Sequence, residues 1–256
     1  MKNVALQMYS IRELMEKDVR QTLLDTAKAG YAGVEFAGYF DHTADEIKSY
    51  LDEAGLVCAG THTGWNLLQP DTIDETMRFN EKIGNRLIIL PGVDGAMYGD
   101  RDSSCRMGAT LNDIGAKLRA NGFAFYYHNH HREFAVYDGK YALDYVYENS
   151  DPENLKVELD CYWAYIGGVD PIAYMKKYGK RCSLLHMKDA KADSREKAEK
   201  NIFECTEVGS GVIDFPGIVA QGKENGVLWY TVEQESFDMP MLDSIALSAK
   251  WLNENV

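Results

Sequence analysis

The densest chemistry in the chain lies in "YYHNHHREF", Tyr126 to Phe134. It sets His128, His130 and His131, three of the six histidines, within four positions, with Glu133 two residues later. Imidazoles so close together suit metal ligation, an acid/base pair, or a polar surface loop. Other ionisable residues follow short apolar runs: Glu35 in "GVEFAG", His62 in "LVCAGTHTG", Asp160 in "LKVELD", His186 and Lys188 in "CSLLHMKD", and Glu233 and Glu235 in "LWYTVEQE". Any one of these taken alone reads most simply as a loop-facing polar residue. Their recurrence at the ends of so many runs points to a shared site.

The runs themselves read as strands. With "NVALQMYS", "RLIILPG" and "GFAFYYHNH" they number eight, and they alternate with amphipathic stretches such as "DVRQTLLDTAKAG", "TADEIKSYLDEAG" and "CRMGATLNDIGAKLRANG". Each stretch ends in a glycine suited to a helix C-terminus: Gly30, Gly55 and Gly122. Strand–helix alternation implies a parallel sheet, and eight units in 256 residues match a closed (β/α)8 TIM barrel spanning residues 1–256 as a single domain. An open doubly wound sheet is disfavoured, because "QMYSIREL" has no glycine-rich phosphate turn after the first strand.

In such a barrel the C-terminal strand ends form the mouth where chemistry occurs. Seven of the eight strands place a polar or titratable group there, beginning with Gln7 and Tyr9, while the fourth ends in Pro91-Gly92. The fifth to eighth strands bring His128 or His130, Asp160, His186 and Glu233 to one rim. Imidazoles and carboxylates together suit a divalent ion such as manganese, cobalt or zinc, with magnesium a further candidate. The two-residue period puts His128 and His130 on one side and Asn129 on the other, and it pairs Glu158 with Asp160, His186 with Lys188, and Glu233 with Glu235. His131 then reads as loop surface.

Composition narrows the function classes. A net charge of −13 with no basic run argues against a nucleic-acid partner. The five scattered cysteines form no C-x-x-C pair, so a reducing cytoplasm is the simpler expectation. No apolar run reaches the roughly 18 residues of a membrane span. The mixed-charge segment Ala190 to Glu207 reads as a lid or a surface helix.

The motifs "QMYSIREL", "GYAGVEFAGYF", "AGLVCAGTHTGW", "YHNHHREF", "ELDCYWAYIGGVDP", "LLHMKDA" and "VEQES" resemble, over essentially the full length, the sugar phosphate isomerase/epimerase family of xylose isomerase-like TIM barrels, in its bacterial branch with a "YHNH" fifth strand. The resemblance implies one divalent ion held by Glu, Asp, His and Glu at the ends of strands five to eight. Asp160, His186 and Glu233 match the last three. His128 stands where many members have the first Glu, which raises the charge of the site by one. The implied chemistry is isomerisation or epimerisation of a sugar or keto-sugar through a metal-stabilised enediolate. In that scheme Glu233 is both ligand and base, and His130 or Glu133 serves the opposite face. Tyr9, Glu35, His62, Trp65, Trp163 and Lys188 contact the substrate.

Three alternatives stand beside it. A lyase acting on an inosose or a 3-keto-glycoside shares the same first proton abstraction. A non-catalytic sugar-binding barrel is the second. The third, a DNA-repair endonuclease on a related barrel, is disfavoured by the acidic charge and the missing ligand on the fourth strand. Relatives often form dimers or tetramers, so a homo-oligomer is one expectation.

Overall fold

The structure, a computed structural model, describes residues 3–256. Eight parallel strands form the barrel: β1 Val4–Gln7, β2 Gly33–Phe36, β3 Val57–His62, β4 Leu87–Leu90, β5 Ala124–His128, β6 Lys156–Asp160, β7 Cys182–Met187 and β8 Trp229–Val232. Each pairs with its sequence neighbours, and β8 returns to β1, which closes the sheet. This is the expected (β/α)8 TIM barrel. Closure leaves no open edge, and the connecting helices cover the outer face.

The strands are shorter at their C-terminal ends than the apolar runs suggest. Met8–Ile11 is a 3-10 turn, and Asn129–His130 and Glu233–Glu235 lie beyond β5 and β8. The chain therefore leaves the ladder just where the polar residues begin. Two short pairs decorate the mouth, Val136–Tyr137 with Lys140–Tyr141 and Asp189–Ala190 with Cys205–Thr206.

The helices begin and stop where their sequences direct. Thr43 and Glu46 form a reciprocal capping box before Ala44–Ala54, and Gly55 closes that helix at φ 68°. Asp18 and Asp100 cap Val19–Lys28 and Arg101–Ala120. No helix among the described residues is long and apolar enough to cross a membrane.

Packing is layered. Most buried apolar side chains lie between the strands and the helices. Inside the barrel Ile89, Tyr126 and Leu184 form a separate apolar plug, with Leu87, Ala124 and Trp229 against it. Above the plug the interior turns polar: Glu35, His128, Glu158, Asp160 and His186 are all 2% exposed or less. The plug excludes water from beneath these groups, which strengthens every electrostatic interaction among them.

The 20-residue helix Arg101–Ala120 lies against backbone that leaves no room for a side chain. A Cβ on Gly115 would fall 1.9 Å from the Asn154 carbonyl oxygen, and one on Gly108 2.4 Å from that of Val146. Gly115→Ala should destabilise the fold by about 1–3 kcal/mol despite alanine's better helix propensity. A urea midpoint equal to or above that of the wild type would refute this close approach.

Candidate active site

The barrel register builds the site. Asp160 pairs with His186, His128 with Glu158, and Gln7 with Glu35, so side chains from five strands meet in one polar layer. His128, Asp160, His186 and Glu233 each offer a ligand atom within 4.8 Å of the others. These four are the set expected from the strand ends. A second group, His62, His128, Glu158 and His186, meets the same criterion and shares two members with the first.

His186 links the two groups. Its Nδ1 lies 3.2 Å from Glu233 Oε2 and 3.8 Å from Asp160 Oδ2. Its Nε2 donates to Glu35 Oε1 at 2.7 Å. Glu35 also accepts from Gln7 Nε2 at 2.7 Å and sits 3.0 Å from His62 Nε2. His62 Nε2 is in turn 3.2 Å from Glu158 Oε2. Space for Glu35 comes from Gly60 on the adjacent strand, whose Cβ would lie 3.1 Å from Glu35 Oε2.

Burial and charge work against each other here. Burial would raise the Glu35 carboxyl, but the His186 and His62 imidazoles hold it well below the ordinary carboxylate range. Burial disfavours the charged form of His186, yet Glu158 and Glu35 push it well above the usual imidazole value. His62 opposes burial in the same way, through Glu35 and Glu158, and is raised to about 9. Burial followed by repulsion from Glu35 lifts Glu158 to about 7. Burial likewise lifts Asp160 to about 7. Burial and then the neighbouring His186 hold His128 neutral. Burial lowers His130 to about 4. Glu233 resists burial because Lys188 and His186 keep it ionised, below the usual carboxylate value.

The donor set fits a divalent ion. Asp160 Oδ1 is used, accepting from Trp163 N–H at 2.6 Å as the cap of the helix Cys161–Ile166. Asp160 Oδ2 is buried with no partner among the described residues. A buried carboxylate oxygen without a donor is costly, and a cation would satisfy it. Asn129, which points away from the mouth as the period-two reading expects, braces this carboxylate's strand: its Oδ1 accepts from Asp160 N–H at 3.0 Å.

Above the layer lies a cavity of about 420 Å3, walled by Tyr9, His62, His128, His130, Trp163 and Glu233 among others. Of the residues expected to touch substrate, Tyr9, His62 and Trp163 line it. Three stand elsewhere, as does Glu133, expected on the opposite face for proton transfer. Glu35 is fully buried below the cavity, spent on the two histidines rather than facing a ligand. Lys188 is 2% exposed, 4.7 Å from the Trp163 ring centre and ion-paired with Glu235. Trp65 and Glu133 line a neighbouring cavity instead. Glu133 accepts from the Tyr127 hydroxyl at 2.9 Å, and burial raises its carboxyl. His131 is not loop surface: it is half-buried and stacks on Trp163 at 5.1 Å, with Phe203 at 5.2 Å. Phe203, from the segment after β7, packs 5.0 Å from Trp163 and brings that segment over the mouth.

Local pattern marks Glu158 only as the period-two partner of Asp160 on the inner face, and its contacts with His62 and His186 come from the barrel's closure. Gln7 stands at a strand end, but its bond to Glu35 depends on the β1–β2 register, which no local pattern encodes.

The profile of the family described as xylose isomerase-like TIM barrel matches residues 23–255. An inosose dehydratase of Clostridium beijerinckii is 25% identical, covering 86% of this chain and 83% of its own. One from Geobacillus kaustophilus is 23% identical, over 84% of this chain and 79% of its own. The crystal structure of a sugar phosphate isomerase/epimerase from Parabacteroides distasonis superposes with a TM-score of 0.80 at 26% identity, covering 98% of this chain and 94% of that one. The chain is an enzyme belonging to the xylose isomerase-like TIM barrel family.

Proposed function

We propose that the protein moves a proton next to the carbonyl of a sugar or cyclitol ketone, with a divalent ion held by His128, Asp160, His186 and Glu233. The observation that carries this reading is the buried quartet with its unpartnered Asp160 oxygen, two of whose members, His128 and Glu233, line a sugar-sized cavity. A divalent ion there would act as a Lewis acid, stabilising negative charge on a carbonyl oxygen as the adjacent C–H proton leaves.

The chain's own groups supply the rest. Glu233 stays ionised under the influence of Lys188 and His186, which keeps its carboxylate available as ligand and proton acceptor while weakening it as a base. His130 lines the cavity as a neutral imidazole, its value lowered by burial to about 4, and can take or return a proton on another side of the substrate. Trp163 and Tyr9 present aromatic faces to the ring. Phe203 and His131 pack around Trp163 and limit its movement.

Reprotonation at carbon gives an isomerase or epimerase. Loss of a β-substituent gives a dehydratase or lyase, and the similarity to inosose dehydratases favours that second reading. Turnover in D2O separates them: deuterium at the carbon with inverted configuration marks the epimerase, and release of water or an alcohol marks the lyase. The ion itself is tested by thermal shift. Manganese, cobalt or zinc should raise Tm by several degrees in chelator-stripped protein, and no shift with any of them would sink the metal reading.

A further inference from the structure

Beside the mouth lies a second and larger cavity, of about 610 Å3. It shares His130 and Pro91 with the first and extends over Trp65, Tyr98, Asp94, Arg132 and Glu133. We propose that this cavity is a subsite for a second sugar ring, so that the enzyme's substrate class is a glycoside whose reacting ring carries a ketone, rather than a free monosaccharide. This rests on the reading of the mouth as a sugar site.

Three observations support it. First, the two cavities adjoin through His130, so a ring seated at the mouth can carry its substituent into the second space. At about 420 Å3 the mouth suits one ring, and the neighbouring volume alone falls in the range of roughly 300–1,000 Å3 typical of small-ligand pockets. Second, the wall holds polar groups the protein leaves unused. Glu133 is 3% exposed, its Oε1 is taken by Tyr127, and its Oε2 has no partner among the described residues. His131 Nδ1 is likewise buried without a partner there. Buried polar atoms are usually satisfied, so two orphans in one cavity wall mark a place where a hydroxylated ligand would complete the bonding. Third, the lining combines the flat faces of Trp65 and Tyr98 with the charged heads of Arg132 and Asp94. Aromatic faces receive the apolar side of a pyranose, and charged groups form strong hydrogen bonds to its hydroxyls.

The experiment is a calorimetric titration of the manganese-loaded enzyme with methyl glycosides of the common hexoses and with methyl glycosides of the corresponding disaccharides. These ligands have no carbonyl next to a reactive C–H and are not turned over. For whichever hexose binds, the disaccharide should bind at least about tenfold tighter. Tyr98→Ala and Arg132→Ala should each remove most of that gain and leave the methyl glycoside's affinity unchanged. Equal affinity for the two ligands, or a gain that survives both substitutions, overturns the subsite while the mouth stands. If no hexose in either form binds, the subsite falls, while the reading of the mouth is judged separately by turnover in D2O and by the thermal shift with metal.

Discussion

Asp160→Asn and Glu233→Gln should each lower kcat/KM by about 10^3-fold or more and leave the fold intact. Lewis-acid stabilisation of a developing oxyanion is worth several kcal/mol, and each 1.36 kcal/mol is a factor of ten in rate. Asp160 brings Oδ2 to the quartet, 3.8 Å from His186 Nδ1. Asparagine removes the negative charge there but keeps an oxygen in the Oδ1 position to accept from Trp163 N–H, so the helix cap survives. Glu233→Gln similarly keeps the shape of the side chain while removing both the charge and the base. Each variant should lose most of its manganese affinity by calorimetry and keep its unfolding free energy in urea within about 1 kcal/mol of the wild type. Retained turnover in either variant would move the site elsewhere. A collapse of stability would show that these carboxylates are part of the scaffold rather than the chemistry.

How far the sequence discloses this depends on the kind of information needed. Strand–helix alternation and helix-ending glycines such as Gly55 are local, so the barrel follows from them. Barrel geometry then carries strand ends to the mouth, which is why Asp160, His186 and Glu233 come together although 26 and 47 residues separate successive members. What local pattern does not reveal is depth. Glu35 and His62 both belong to the polar layer, yet Glu35 lies a level lower, because it pairs with Gly60, two residues before His62 on β3, and Gly60 opens room beside it. Burial of Glu133 depends on the hydroxyl of Tyr127, which reaches outward from the opposite face of β5 to His128. His131 is drawn in by Phe203, which lies 72 residues away in a segment with no strong pattern.

Glu35 makes the sharpest difference between the two readings of one residue. If it contacted substrate hydroxyls, Glu35→Gln would raise KM and leave metal binding unchanged. Its position predicts the opposite. Glu35 Oε1 accepts from His186 Nε2 and fixes the ring so that Nδ1 points toward Glu233 and Asp160. A carboxylate behind a metal-ligating histidine sets its tautomer and orientation, and its loss typically costs about 10–100-fold in metal affinity. Glu35→Gln should therefore weaken manganese or cobalt binding by that factor and leave KM nearly unchanged at saturating metal. Glu35→Ala should also cost about 3–5 kcal/mol of stability, because it strips a fully buried charge from His186, His62 and Gln7 together. Direct titration with cobalt, followed by its visible absorption, reads the affinity independently of turnover. Unchanged cobalt affinity in Glu35→Gln together with a raised KM would return Glu35 to the substrate.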